Sequence, residues 1–281
     1  MLFYDIMNYN YPENKDYFKI NPNLKEWIKQ YPLKQKKFSK DITQQINFIR
    51  KYQKLFKYLP FVEAVYVCNS VSFKSVHNKS DIDLFIIISE NKLHIWRLIA
   101  KLIFKLLKIE WNHQANKFCT GFWITTNATD LYPISIYPID LYLAYWIAHL
   151  QPIYWRNIEI LEKVFKDNIW VKQIISNYDF QPQNIIWVKT IIWESIVKKF
   201  LEKCLWFNWL NLLIGKIWKR KMLKIKEKLW EKWKDIIISD YVLKFFAPDK
   251  RKLVYLKYKS LKPKYLQKHK NQQTKWKYKH I

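Results

Sequence analysis

The sequence predicts an α+β fold: a small mixed β-sheet core flanked by helices, with a mostly helical C-terminal region. Three observations carry this expectation. The runs 61–67, 81–88 and 118–125 are short, apolar, β-branched and aromatic, the composition of buried strands. An amphipathic segment, 92–109, separates the second run from the third. From residue 156 onward apolar residues recur at helical spacing.

Taken in order, residues 1–40 hold Pro12, Pro22 and Pro32 among polar turns, so loops and one short helix near Leu24–Gln30 are expected. A helix follows over about 41–58, with Asp41 as its N-cap and Pro60 just past its end. The strand 61–67 leads into a polar stretch, and the strand 81–88 is apolar except for its two acids. On the helix 92–109, Leu93, Trp96, Ile99, Ala100, Ile103, Leu106 and Leu107 form one face. Lys92, Arg97, Lys101, Lys105 and Lys108 form the other. After the strand 118–125, Asp140 caps a helix that Pro152 stops. Helices are expected over 156–176, 184–204 and 208–234, with a last piece after Asp240. The implied organisation is N-terminal loops and a helix (1–58), a core (59–153), a helical C-terminal domain (154–256) and a flexible basic tail (257–281).

The 281 residues are 50% hydrophobic and 18% aromatic, enough to bury a substantial core and to exclude global disorder. The formal net charge is +27, which favours polyanionic partners: nucleic acid, nucleoside triphosphates or an anionic membrane face. Abundant Lys, Ile, Asn and Tyr also resemble coding drift in an AT-rich genome, although drift alone does not explain why no acid follows Asp249. The tail 257–281 holds nine lysines interleaved with Tyr258, Tyr265, Trp276 and Tyr278, a mixture that grips single-stranded nucleic acid through charge and stacking.

Two glycines against fifteen tryptophans fit a codon read as Gly in the source and translated here as Trp. Cys68, Cys119 and Cys204 lack CxxC spacing and sit in apolar runs, so they are read as small core residues rather than disulfide partners or zinc ligands. A reducing cytoplasm fits. Residues 1–11 lack the basic start and apolar core of a signal peptide, and no run reaches the ~20 apolar residues of a membrane span.

The chemistry concentrates at one place. Val67-Cys68-Asn69-Ser70 is followed, after ten residues, by Asp81-Ile82-Asp83-Leu84. Alternate residues of a strand face the same way, so Asp81 and Asp83 present two carboxylates to one point. Hard oxygen donors on one point suit Mg²⁺. Two acids on an otherwise apolar strand are costly unless a cation meets them.

This arrangement resembles the signature of the polymerase-β-like nucleotidyltransferases, in which a strand ends in Gly-Ser and a second strand opens with Asp-x-Asp. The resemblance implies Mg²⁺-dependent transfer of a nucleoside monophosphate from an NTP, ATP included, to a hydroxyl acceptor that the sequence does not identify. Two Mg²⁺ ions are expected if the site is active. Asp81 and Asp83 would be the catalytic metal ligands. Asn69 and Ser70 would meet the phosphates, with Lys74, His77 and Lys79 in the same loop. The segments 140–154 and 238–249, and Asp5-Ile6 with Tyr11-Pro12, carry a less specific likeness to uncharacterised bacterial proteins with this domain.

Two positions depart from the pattern. Asn69 replaces the motif glycine, and Asn is the best non-Gly residue for a left-handed corner. The third carboxylate that such enzymes carry on a later strand is missing from 118–125, whose polar groups are read as Thr120, Thr125 and Thr126. Glu63, Glu110 and Asp130 are the nearest alternatives. The competing expectation is therefore a catalytically degenerate fold that binds nucleotide or nucleic acid, RNA included. A weaker one makes 184–234 a docking or membrane-surface element, with Trp187, Trp193, Trp206, Trp209 and Trp218 taken as core.

Overall fold

The computed structural model describes residues 40–72, 76, 80–110, 115–135, 140–175, 178, 195–228, 236–245 and 251. The short helix expected near Leu24–Gln30, the residues Lys74, His77 and Lys79, and the tail 257–281 lie outside them.

Among the described residues the chain forms seven α-helices and one six-stranded mixed sheet. The helices are α1 (Lys40–Tyr52), α2 (Asn69–Ser72), α3 (Leu93–Leu106), α4 (Leu141–Ala148), α5 (Ile158–Asp167), α6 (Ile196–Cys204) and α7 (Asn208–Lys228). The strands are β1 (Val62–Val67), β2 (Ile82–Ile88), β3 (Phe118–Thr125), β4 (Gln151–Trp155), β5 (Ile237–Ile238) and β6 (Val242–Lys244). Their order is β4-β1-β2-β3-β6-β5, parallel between β2 and β3 and antiparallel at every other pairing. The three expected strands are present. Three more join the same sheet: β5 and β6 from the region expected to be helical, and β4, which runs across the expected boundary at 153.

Every residue of β2 is buried, as a central strand requires, and its two faces separate cleanly. Ile82, Leu84, Ile86 and Ile88 join the core beneath α1, α3 and α7. Phe85 and Ile87 join the core beneath α4 and α5, where Phe85 and Phe122 pack on Trp146 at ring-centroid distances of 5.1 and 5.4 Å.

Several expectations change in detail. Asp41 lies inside α1, which opens at Lys40, whereas Asp140 caps α4 by accepting from the Leu143 amide at 3.0 Å. On α3 the deeply buried residues are Leu93, His94, Ile95, Trp96, Ala100 and Phe104. Leu106 and Leu107 are exposed, because a 3.6-residue period carries the stripe through 93, 96, 100 and 104. Trp206 and Trp209 are exposed rather than core, while Trp96 and Trp123 are fully buried. No described tryptophan takes the left-handed backbone that would mark a glycine position.

The first half of α3 is covered on a second side by α7. Asn211 Oδ1 accepts from the backbone amides of His94 at 2.9 Å and Ile95 at 3.0 Å, so a side chain on α7 satisfies two donors at the start of α3. Gly215 lies so close to the His94 ring that a Cβ there would stand 2.3 Å from Cδ2. His94 Nε2 meets Asp240 Oδ1 at 2.8 Å, Lys219 Nζ meets Asp240 Oδ2 at 2.6 Å, and Arg97 stacks on Trp218 at 3.9 Å from the ring centre.

Candidate metal centre

The site forms where β1 ends and β2 and β3 begin. The backbone leaves β1 through Cys68 and turns at Asn69, whose φ of 54° is the left-handed conformation expected there. Asn side chains tolerate this region better than most, so the corner survives without glycine. The Asn69 side chain is directed to α4, where its Oδ1 accepts from the Tyr142 hydroxyl at 3.0 Å. Ser70 follows in the first turn of α2, and its buried Oγ has no hydrogen-bond partner among the described residues.

Across the turn, Cys68 pins the start of β2. Its backbone amide donates to the Asp83 carbonyl at 3.0 Å, and its thiol reaches the same oxygen at 3.5 Å. Asp83 is 8% exposed and Asp81 is half-buried. One oxygen of each, together with Cys119 Sγ, forms a group whose donor atoms all lie within 4.8 Å of one another. The structure thus brings the two predicted carboxylates together and adds a third donor that the sequence reading assigned to the core.

The register explains why Cys119 was missed. Asp83 pairs with Cys119, but Phe85 pairs with Phe122, so β3 spends three residues where β2 spends two. This bulge falls at Thr120–Gly121. Strict alternation from Phe122 and Ile124 would turn Cys119 to the opposite face. The extra residue turns it back to the face of Asp83, the kind of re-aiming that bulges beside functional sites provide. The one available signal was Gly121, since glycine inside a strand often marks a bulge.

The acids weighed for the third position are engaged elsewhere. Glu63 pairs with Arg156 at 3.1 Å, Glu110 pairs with Lys101, and Asp130 accepts from the Tyr132 amide at 2.9 Å. Of the three cysteines, Cys68 alone is core; Cys119 is half-buried and Cys204 is exposed. Burial raises the Cys119 thiol well above its usual range, and the charges of Asp83 and Asp81 and hydrogen bonds to both carboxylates add to the rise. Burial, with Asp83 next in weight, raises Cys68 as well.

As a donor set, the two carboxylates fit a hard divalent cation, and the sulfur fits a softer one. A separate open cavity of about 460 Å³, lined by Arg156, Lys199, Glu202, Lys203, Trp206 and Phe207, contains none of these residues. No helix among the described residues is long and apolar enough to cross a membrane.

Comparison with protein-family models, curated proteins and solved structures finds no match for this chain.

Proposed function

We propose that this protein is a divalent-cation-dependent nucleotidyltransferase that moves a nucleoside monophosphate from an NTP to a hydroxyl acceptor. The observation supporting it is the convergence of Asp81 and Asp83 at the end of a sheet, directly after a strand that closes on a left-handed Asn69 and Ser70. Asp81 and Asp83 would hold the divalent cation. A bound ion neutralises charge on the transferring phosphoryl group and aligns the attacking oxygen. Asn69 makes the corner that lets phosphate approach the backbone, with its side chain drawn aside by Tyr142. Ser70 offers to a phosphate oxygen a hydroxyl that has no partner among the described residues. Lys74 and Lys79 are the cations that the intervening loop would add.

The test is cation-dependent incorporation of label from α-³²P-NTPs into the protein itself, total RNA and aminoglycosides, with Asp83→Ala as control. Label requiring both the cation and Asp83 is expected, and it names the acceptor class. Transfer undiminished in Asp83→Ala would sink the proposal.

A second reading is favoured by one observation: the third donor is a thiol where a carboxylate was expected. A sulfur ligand is poorly suited to helping a hard ion activate a hydroxyl. On this reading the fold binds nucleotide or nucleic acid without reacting, aided by its charge of +27 and by exposed Lys216, Arg220, Lys221, Lys224 and Lys228 on α7. It predicts salt-sensitive oligonucleotide binding with no label transfer. Affinity indifferent to salt would remove it.

A further inference from the structure

Within the reading of Asp81 and Asp83 as a cation site, we infer that Cys119 is the third ligand and that the site selects a thiophilic divalent cation, Zn²⁺ above all, over Mg²⁺. Ligand spacing is the first argument. Zn–O and Zn–S bonds of about 2.1 and 2.3 Å at a tetrahedral angle place donor atoms about 3.6 Å apart. The three donors already lie within 4.8 Å of one another, so side-chain rotations close the remaining ångström. The second argument is position. Cys119 is the register partner of Asp83 on the neighbouring parallel strand, and the bulge at Thr120–Gly121 turns it to the acid pair.

The third argument is donor chemistry. Mg²⁺ takes oxygen ligands and keeps much of its water, whereas a thiolate favours zinc and its neighbours. Three protein ligands leave a fourth position of a tetrahedral ion open to solvent or to a phosphate oxygen, the arrangement of reactive rather than structural zinc. As the sulfur–metal bond forms, the Cys119 S–H bond breaks and its proton passes to solvent. With the two carboxylates ionised, three negative donors then face the 2+ cation, and no oxidant or reductant is needed. Cys68 is excluded from the ligand set: it is fully buried and its thiol is directed to the Asp83 carbonyl.

The test uses the full chain, freed of metal with chelator, in a Cys204→Ser background so that the exposed thiol does not contribute. Co²⁺ serves as the spectroscopic probe. A near-ultraviolet sulfur-to-cobalt charge-transfer band is expected, displaced by stoichiometric Zn²⁺ and resistant to a large excess of Mg²⁺. Cys68→Ser should retain the band. Cys119→Ser should lose it and weaken Zn²⁺ binding at least tenfold, about the minimum loss seen even for outer-shell partners of a metal. Cys119→Asp, which restores an oxygen donor, should raise Mg²⁺ affinity at the expense of Zn²⁺ and stands as the second variant if the serine protein misfolds. Co²⁺ bound without a sulfur band, or a band that survives Cys119→Ser, overturns the assignment of Cys119 while the carboxylate cation site stands. A wild-type chain that binds none of Co²⁺, Zn²⁺ and Mg²⁺ overturns both.

Discussion

The mouth of β2 and β3 and the joint between α3 and α7 are both polar places against an apolar core, and they use polarity in opposite ways. At the joint, side chains are consumed by the fold. Asn211 satisfies two backbone amides, His94 and Lys219 converge on Asp240, and Gly215 exists to let the His94 ring approach. At the mouth, donor atoms of Asp81, Asp83 and Cys119 lie within 4.8 Å of one another. Polar groups that close on the backbone stabilise a structure; polar groups that converge on a point are arranged for something else. The two regions should therefore respond differently to substitution.

The largest expected effect is on activity. Replacing Asp81 or Asp83 with Ala should lower nucleotidyl transfer at least about a hundredfold, because a bound ion supplies several kcal/mol of transition-state stabilisation. Stability should move by less than about 1 kcal/mol, which is what separates the mouth from the joint. Chemical denaturation of each variant beside its transfer rate makes the check. An unfolded variant would erase the distinction.

Next comes Asn211→Ala, which strands two buried amides at about 1–3 kcal/mol each and should cost about 2–6 kcal/mol in all. Urea midpoints at constant m-value measure it. A loss under 1 kcal/mol would mean that water replaces the side chain. Gly215→Ala forces a methyl against the His94 ring, and overpacking of this kind costs about 1–3 kcal/mol. The same denaturation series, read on the single variant, tests that estimate.

The smallest effect is in pH dependence. Burial lowers the His94 pKa and outweighs the hydrogen bond and charge of Asp240. The unfolded chain then binds this proton more readily than the folded one. Stability from the neutral ring is full above the unfolded value of about 6.5 and is lost as the pH falls through the lower folded value. For Asp240, burial pushes the carboxyl up, and the hydrogen bonds from Lys219 and His94 more than reverse it. Its contribution is lost in a second stage, as the pH falls below the ordinary carboxylate value of about 3.9. Unfolding midpoints should decline from pH 7.5 to 5 in the wild type, and the decline should be shallower in His94→Asn. Parallel curves would show that the joint does not titrate.

Much of the site could be read directly. Two acids two residues apart on an apolar run, with a Ser turn upstream, mark a strand mouth whatever surrounds it, and the left-handed Asn69 was foreseeable from residue type. Cys119 was not legible. Its face depends on one extra residue in β3, and a bulge shifts a side chain by half a period without altering the apolar composition from which the strand is read. Leu106 and Leu107 were read into the buried stripe of α3, but a 3.6-residue period carries that stripe through 93, 96, 100 and 104 and leaves both exposed.

What the sequence determined by itself was local: three strands marked by apolar, β-branched composition, the α3 helix, the Asp140 cap, and a carboxylate pair set by strand alternation. These depend on neighbours within a few residues, where geometry is nearly invariant. The tertiary structure alone decided the rest. β5 and β6, of two and three residues, are too short to carry a period and exist because β3 offers them an edge. β4 contains Pro152 and is a strand because β1 lacks a partner on that side. The third donor of the mouth came from register, which is set by how two strands 36 residues apart align, at Asp83 and Cys119, and by nothing within either strand.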